Sequence, residues 1–380
     1  MNDSNIIKNV SLFNKLKLSL GLYDKIKIFI IIFLISIILF LQLRFFISRG
    51  TLTNLKLTVV TPVLDTKIEI NKNFIYCSTF QMAWNKACKD VVKENIEIEG
   101  SPEYVAKLNK NINQPPNVSN NSYLAMAGFG KDGIVDKINE ALMNKFSGHV
   151  QDLKIKPRDI DIVAYSYLYK NLPFENEFER LENPIDFKFE DKSIPVKAFG
   201  IKEFDPNKHK LLADQVEILY YNNQKNSKPE FIIKLVTKSK NDELIISTIP
   251  IKETLEKTYE NIIQLSEFNE HKKLVPGAIM KIPLIDFDII HTYKELSNKK
   301  LKNTKYSEYF ISDATQGIKF KLNEKGAELE SFSFFMMTGS SGPRYKLIVD
   351  SPFIIFLKDK NFDMPYFMAY ISNDELLVRK

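Results

Sequence analysis

From Ile28 to Leu43 the chain reads "IFIIIFLISIILFLQL", a run without a charge, and apolar residues resume from Phe45 to Ile47. At ~1.5 Å per residue the uncharged part is ~24 Å long and the whole stretch ~30 Å, enough to cross a bilayer as one helix. It has no polar face, so it is not a helix lying on a membrane surface. A transmembrane helix over Ile28–Ile47 is the reading adopted. A buried soluble helix and a cleaved leader are the other readings; against the leader, no small-residue cleavage site follows Ile47.

Beyond residue 50 the pattern changes. "LKLTVVTP" is β-like, a short stalk or edge strand. "NKNFIYCS" is an apolar strand that stops at Ser78. Ser78 and Gln81 have capping-box spacing, and Phe80, Ala83, Trp84, Ala87 and Cys88 follow at helical intervals. Residues 93–122 are polar, with "NQPPNVSNNS" as a loop. "YLAMAGFGKDGIVDKINEALMNKF" predicts a small-residue helix, a glycine break and an amphipathic helix with Ile134, Ile138 and Leu142 inward. "DIDIVAYSYLYKNLPF" alternates as a strand, "FENEFERLE" predicts a short helix and "IPVKAFGI" a strand. A meander of antiparallel strands covers 214–250, and "KETLEKTYENIIQL" is helical. "GAIMKIPLIDFDI" predicts a strand, "TYKELSNKKL" a short helix and "QGIKFKLNEKG" a strand. "YKLIVDSP", "FIIFLKD" and "PYFMAYISN" predict the last three. Helices come early and strands dominate late, which is an α+β order rather than alternating βαβ units.

Charge sharpens this division. Residues 1–49 hold seven of the 53 basic residues and two of the 47 acidic ones, leaving 46 against 45 for the remainder. A near-neutral body lacks the footprint of a nucleic-acid binder. Five lysines precede the apolar run, and only Arg44 and Arg49 lie close behind it. The positive-inside rule then puts the N-terminus in the cytoplasm and the C-terminal body outside. The expected organisation is a cytoplasmic basic segment over 1–27, a transmembrane helix over 28–47, a stalk or edge strand over 48–66 and an extracytoplasmic domain over 67–380.

Candidate chemistry is sparse. "AGFGKDG" (Ala127–Gly133) lacks the phosphate-loop spacing, because Asp132 follows Lys131. His149, His209, His271 and His291 are scattered, with no zinc-ligand spacing. Asp159/Asp161 and Asp286/Asp288 put paired carboxylates on one strand face, which an exposed strand explains as well as a cation does. Lys294, Lys299, Lys300, Lys302 and Lys305 read as a solvated face. Cys77 and Cys88 sit at opposite ends of a predicted helix, too far apart for a disulfide, and read as core residues. No catalytic residue, cofactor site or metal site is expected.

The segment before the last strands carries a family likeness. "IKFKLNEKGAELES" (Ile318–Ser331) resembles the strand and hinge before a serpin reactive loop, and "VDSPFIIFLKD" (Val349–Asp359) resembles the paired strands after it. Gly326 and Pro352 are separated by about that family's loop length. "NKNFIYCSTFQMA", "LAMAGFGKDGIVDKINEAL" and "PGAIMKIPLIDFDIIHTYKEL" are similar to further family segments, so the likeness runs patchily over 70–378. It implies an α+β fold of serpin-like mixed sheets with helices packed around them, and the apolar run places one N-terminal transmembrane helix before it. It makes Glu324, Gly326, Ala327 and Glu328 hinge candidates and Thr338, Gly339, Ser340, Ser341 and Gly342 the exposed reactive-loop-like segment. Leu329, Glu330 and Phe332 depart from the small residues usual after such a hinge, and bulk there slows loop entry into a packed sheet. The expectation is therefore a single-pass membrane protein, held in the lipid bilayer by Ile28–Ile47, that binds an unknown protein partner or serves as a structural module without protease inhibition. The alternative is a membrane-anchored inhibitor of a serine or cysteine protease with a cleavable loop near 338–343.

Overall fold

The computed structural model describes residues 55–146, 152–202, 206–223, 228–274, 278–326 and 345–380. The Ile28–Ile47 stretch, the hinge candidates Ala327 and Glu328, and Thr338–Gly342 lie outside these residues. Among the described residues no helix is long and apolar enough to cross a membrane.

Strands are numbered along the chain. The largest sheet runs in the order β1 (Thr58–Thr61), β2 (Asn73–Cys77), β20 (Phe367–Ile371), β19 (Phe353–Asp359), β11 (Asp242–Ser247), β10 (Glu230–Leu235), β9 (Val216–Asn222) and β12 (Lys272–Lys273). β1 and β2 pair in parallel, and the other pairings are antiparallel. Its inner strands are continuous apolar runs because both faces are covered. Phe353, Ile355 and Leu357 point into one core, and Ile354 and Phe356 into a second. Helix Leu255–Glu267 closes the second core through Leu255, Tyr259 and Ile262. It begins with a true cap, Thr254 Oγ1 accepting from Lys257 N at 3.1 Å.

A four-stranded sheet follows, β18 (Lys346–Ile348), β13 (Ile279–Pro283), β8 (Ala198–Ile201) and β5 (Glu179–Arg180). Four two-stranded units complete the set: β3 (Tyr123–Phe129) with β4 (Ile162–Leu168), β14 (Ile285–Thr292) with β17 (Thr315–Leu322), β6 (Ile185–Phe189) with β7 (Lys192–Val196), and β15 (Lys299–Lys300) with β16 (Phe310–Ile311).

Several sequence expectations are corrected. Tyr123–Phe129 is a strand rather than a helix, paired with β4 from Tyr123↔Leu168 to Phe129↔Ile162. Its small residues serve close packing: a Cβ on Gly130 would lie 2.0 Å from Arg158 O, and one on Gly128 3.1 Å from Ile134 Cδ1. "FENEFERLE" holds β5 and no helix, because Phe174 and Phe178 are buried against Phe199 and the backbone bonds neighbouring segments instead. "TYKELSNKKL" is a turn: Leu296 and Ser297 both donate to Tyr293 O, and Asn298 at φ +58° redirects the chain into β15. "IPVKAFGI" and "GAIMKIPLIDFDI" each split into two strands of different sheets, broken at Lys197 and Leu284. Polar 93–122 contains a helix, Glu103–Lys110.

The capping box at Ser78 does not form. Ser78 is itself helical (φ −66°, ψ −9°) and its hydroxyl makes no cap bond, whereas a capping oxygen needs extended backbone. Gln81 instead donates to Asn85 Oδ1 at 2.6 Å and to Leu108 O at 2.9 Å. Trp84 is buried and donates to Asn109 Oδ1. Cys77 and Cys88 are buried thiols, and burial pushes Cys88 up to about 11.

One buried carboxylate holds the end of β19. Asp359 accepts from Ser119 N at 3.1 Å, Asn361 N at 3.1 Å and Asn361 Nδ2 at 2.9 Å, and pairs with Ser119 Oγ. Burial raises its pKa, but these bonds outweigh burial and leave it below the usual range. Asp359→Ala is expected to cost roughly 2–3 kcal/mol in urea denaturation, from stranded buried donors. Because the folded pKa is depressed, this contribution is full above the unfolded value and fades as pH falls through the folded one. The gap between Asp359→Ala and parent should therefore narrow on acidification; a constant gap would contradict this account.

Candidate functional site: a cleft between two strand pairs

The antiparallel pairs β3–β4 and β14–β17 belong to separate sheets, and among the described residues no strand joins them. Between them lies a cleft of about 1650 Å³. Every residue from Ile162 to Leu172 lines one wall and every residue from Thr315 to Leu322 the other, while Phe80, Trp84, Leu357 and Phe367 form part of the floor. β3 takes no part in the lining, so the walls are the outer edges of β4 and β17.

Alternation assigns the faces. Along β17, Gln316, Ile318 and Leu322 are buried, whereas Thr315, Gly317 and Lys319 are exposed. Gln316 donates inward to Cys77 O at 3.0 Å and Thr79 Oγ1 at 2.8 Å. On β4, Ser166 donates inward to Thr79 O, and Leu168 packs on the main core. Val163, Tyr165, Tyr167 and Tyr169 point outward and pack with helix Ile134–Phe146. Phe146 and Tyr167 meet edge to face at 5.1 Å, and burial pushes Tyr167 up to about 12, so these rings stay neutral.

The cleft narrows to a vertex at its upper end. Gly326 is bridged in antiparallel fashion to Asn323, on the β17 side, and to Pro173, on the β4 side. Phe174 N donates to Lys325 O and Phe178 N to Glu324 O. The Phe174 segment is tied in turn to Thr237. Just below, Lys170 and Asp242 form a buried ion pair at 2.7 Å, and Tyr366 donates to Asp242 at 3.1 Å. Neighbouring Asp242 raises the Tyr366 hydroxyl beyond what burial does.

Of the sequence candidates, Glu324 and Gly326 both stand at this vertex. Glu324 Oε1 meets Arg180 Nη1 at 3.4 Å, and its Oε2 is buried without a hydrogen-bond partner among the described residues. Asp286 and Asp288 lie on the outward face of β14, opposite Lys321 and Lys319. Asp161 is paired with Arg158, whose side-chain and backbone bonds hold its carboxyl below the usual range. His209 Nε2 contacts Ala278 O and His271 Nε2 contacts Ser266 O, well apart in the chain. Among the described residues no three His, Cys, Asp or Glu side chains are grouped to hold a metal. Pro173, Asn323 and the Lys170–Asp242 pair were not singled out in the sequence, since their roles come from contacts between distant segments.

No family model matches the chain, and no curated protein matches it. Solved structures similar to it are serpins. A highly specific serpin of the insect Tenebrio molitor has 12% identity and a TM-score of 0.47, over 79% of this chain and 92% of that one. Thyroxine-binding globulin, in complex with thyroxine, has 12% identity and 0.48, over 80% and 93%. Protease nexin-1, with heparin, has 15% identity and 0.45, over 80% and 92%. The described residues of this chain form an α+β body of mixed sheets with helices packed on them. At 12–15% identity and TM-scores below 0.5, these likenesses assign no role to the cleft.

Proposed function

We propose that this chain is a non-catalytic binding protein, anchored in a membrane by Ile28–Ile47, whose serpin-like body takes an extended strand between β4 and β17. The observation that carries this reading is the double bridge at Gly326. A residue bridged to both walls is the first residue of a central strand, and it points the chain down an open cleft. The occupant is the segment that follows, from Ala327. Adding a strand between two exposed edges satisfies backbone groups on both sides. Work by protein contact, without trapping a protease, follows from Leu329, whose bulk on the core-facing side slows filling.

The tether limits how far the uncut chain descends. Met337 would stand opposite Ser312, about 37 Å below Gly326 at ~3.4 Å per residue, while the return to Tyr345 spans at most about 27 Å. Tyr345 lies at the upper end, because β5 follows the Phe178–Glu324 contact and β18 belongs to the same sheet. The uncut chain therefore descends no further than about Phe334. That limit favours a second reading, in which a cut near 338–343 completes the strand and the protein acts as a membrane-anchored inhibitor of a serine or cysteine protease.

A pair of cysteines tests the first reading in the full chain. Ser331→Cys with Leu168→Cys should bridge on mild oxidation, since directly opposed strand residues have Cβ atoms ~5 Å apart. Ser340→Cys with Leu168→Cys should not. Equal yields, or no bridge in either, would remove the reading. A covalent, SDS-resistant adduct with any member of a protease panel would decide for the second.

A further inference from the structure

A second cavity, of about 100 Å³, shares no lining residue with the cleft. It lies where helix Thr79–Lys86, helix Glu103–Lys110, segment 62–65 and the first turn of helix Leu255–Glu267 meet. These walls are tied to one another. Glu256 N donates to Leu64 O at 3.0 Å, Lys107 Nζ to Asp65 O at 3.1 Å and Gln81 Nε2 to Leu108 O at 2.9 Å. The space is several times what one water needs.

The lining includes buried oxygens that lack partners. Ser78 is 3% exposed, and its hydroxyl has no hydrogen-bond partner among the described residues. Gln81 Oε1 is buried and has none there either. Turning the Gln81 amide round would not mend this, because Leu108 O only accepts and must face Nε2. Lys107 is already spent. Its ammonium meets Glu103 Oε1 at 2.6 Å, Asp65 O at 3.1 Å and Asp65 Oδ1 at 3.4 Å, one for each of its hydrogens. Glu256 adds a further acceptor to the lining. Burial, then Asp65 and Glu260, raise its carboxyl against the opposing Lys110 and Lys107. Buried acceptors without donors are costly, and a negative neighbourhood favours a donor that carries positive charge. Leu64 and Met82 supply apolar wall beside these groups.

We propose that this cavity binds a small primary amine, whose ammonium donates to Gln81 Oε1, Ser78 Oγ and the Glu256 carboxylate while a short aliphatic stem lies along Leu64 and Met82. All five residues line the cavity. The acceptors match the hydrogens of a primary ammonium, which a quaternary one lacks. Lys110, exposed and lining the same cavity, carries the same group and competes for Glu256. The site is independent of whatever occupies the space between β4 and β17.

Thermal-shift and calorimetric titrations of the full chain test this. Propylammonium chloride is the probe, and tetramethylammonium chloride and 1-propanol are the controls. Propylammonium should raise the melting temperature saturably, and neither control should do so at equal concentration. Glu256→Gln should weaken binding roughly tenfold and Ser78→Ala roughly threefold. Lys110→Gln should tighten binding, because a competing cation is gone. Ser78→Ala should leave the melting temperature without amine unchanged or raised, since the hydroxyl it removes has no partner in the described chain. Its weaker binding is then no loss of folding. Glu256 is half-buried, and neutralising a carboxylate beside Asp65 and Glu260 relieves repulsion, so Glu256→Gln also folds. A response to tetramethylammonium equal to that of the probe would reduce the effect to ionic strength, and an equal response to 1-propanol would reduce it to an apolar void; either overturns the proposal. A parent protein with no saturable response overturns it too. Weaker binding in Lys110→Gln would give the cavity the opposite charge preference and overturn the choice of an amine.

Discussion

Cutting the chain once between Thr338 and Gly342 is expected to raise its melting temperature by on the order of 10 °C. The argument is geometric before it is energetic. Uncut, the segment is held at Gly326 and at β18, so its lower half cannot reach the lower half of the cleft. Cut, residues down to Phe334 can pair with β17, which begins at Thr315, and Met336 and Met337 can reach Val163 and Ile162 of β4. Ile160, Ile290 and Phe310, all exposed and all lining the cleft, supply an apolar surround there. Burial of Phe335 and Met337 contributes roughly 1.5–3 kcal/mol each, before the entropy of ordering them. Cross-strand pairs add to this. For a body of this size one kcal/mol corresponds to about 2 °C, which sets the scale above. Differential scanning calorimetry of intact and nicked full chain is the measurement. An unchanged or lowered transition after nicking would mean that the cleft does not receive the segment.

Much of the fold could be read from the sequence, and the failures share a cause. Strands buried on both faces announce themselves as apolar runs, such as Phe353–Leu357 and Phe367–Ile371, and "KETLEKTYENIIQL" reads as the helix found at Leu255–Glu267. The misreadings fell where local preference yields to tertiary contact. Ala125 and Ala127 favour a helix by propensity, yet they lie in β3, where Gly128 lets the strand pack closely on Ile134. Lys197 and Leu284 are unremarkable residues, yet each marks the passage from one sheet to another, and they bond one another, Leu284 N to Lys197 O at 2.8 Å. Glu324 and Gly326 are singled out by the sequence, and both stand where the chain leaves β17. The cleft was not legible, because its walls come from segments more than 140 residues apart and nothing in β4 alone signals a missing neighbour. The outward charges of β14 and β17 could be read only as solvated strand faces until the Asp286↔Lys321 and Asp288↔Lys319 register was known.

The second large effect concerns Gly326 itself. Gly326→Ala is expected to cost roughly 3 kcal/mol or more, well above an ordinary glycine substitution. Its φ of +91° lies where L side chains are strained. A Cβ there would also lie 2.6 Å from Leu172 O, 2.6 Å from Phe174 N and 2.8 Å from Pro173 Cα. All three are backbone atoms of the opposite wall, held by the Phe174↔Thr237 bridge and the Lys238 N–Pro173 O bond, so none can yield like a flexible side chain. Gly133 is the control. It also has a positive φ, +63°, but its nearest neighbour would be Asp136 Oδ2 at 4.0 Å, so Gly133→Ala should cost only about 1 kcal/mol. Urea midpoints of the two variants, at equal m-values, separate backbone strain from loss of the close approach. If Gly326→Ala were no worse than Gly133→Ala, the vertex would not be held tight, and the double bridge could not start a central strand. If it is worse, the same variant should abolish the Ser331→Cys/Leu168→Cys crosslink, because pushing the walls apart at Gly326 shifts every residue below it out of register.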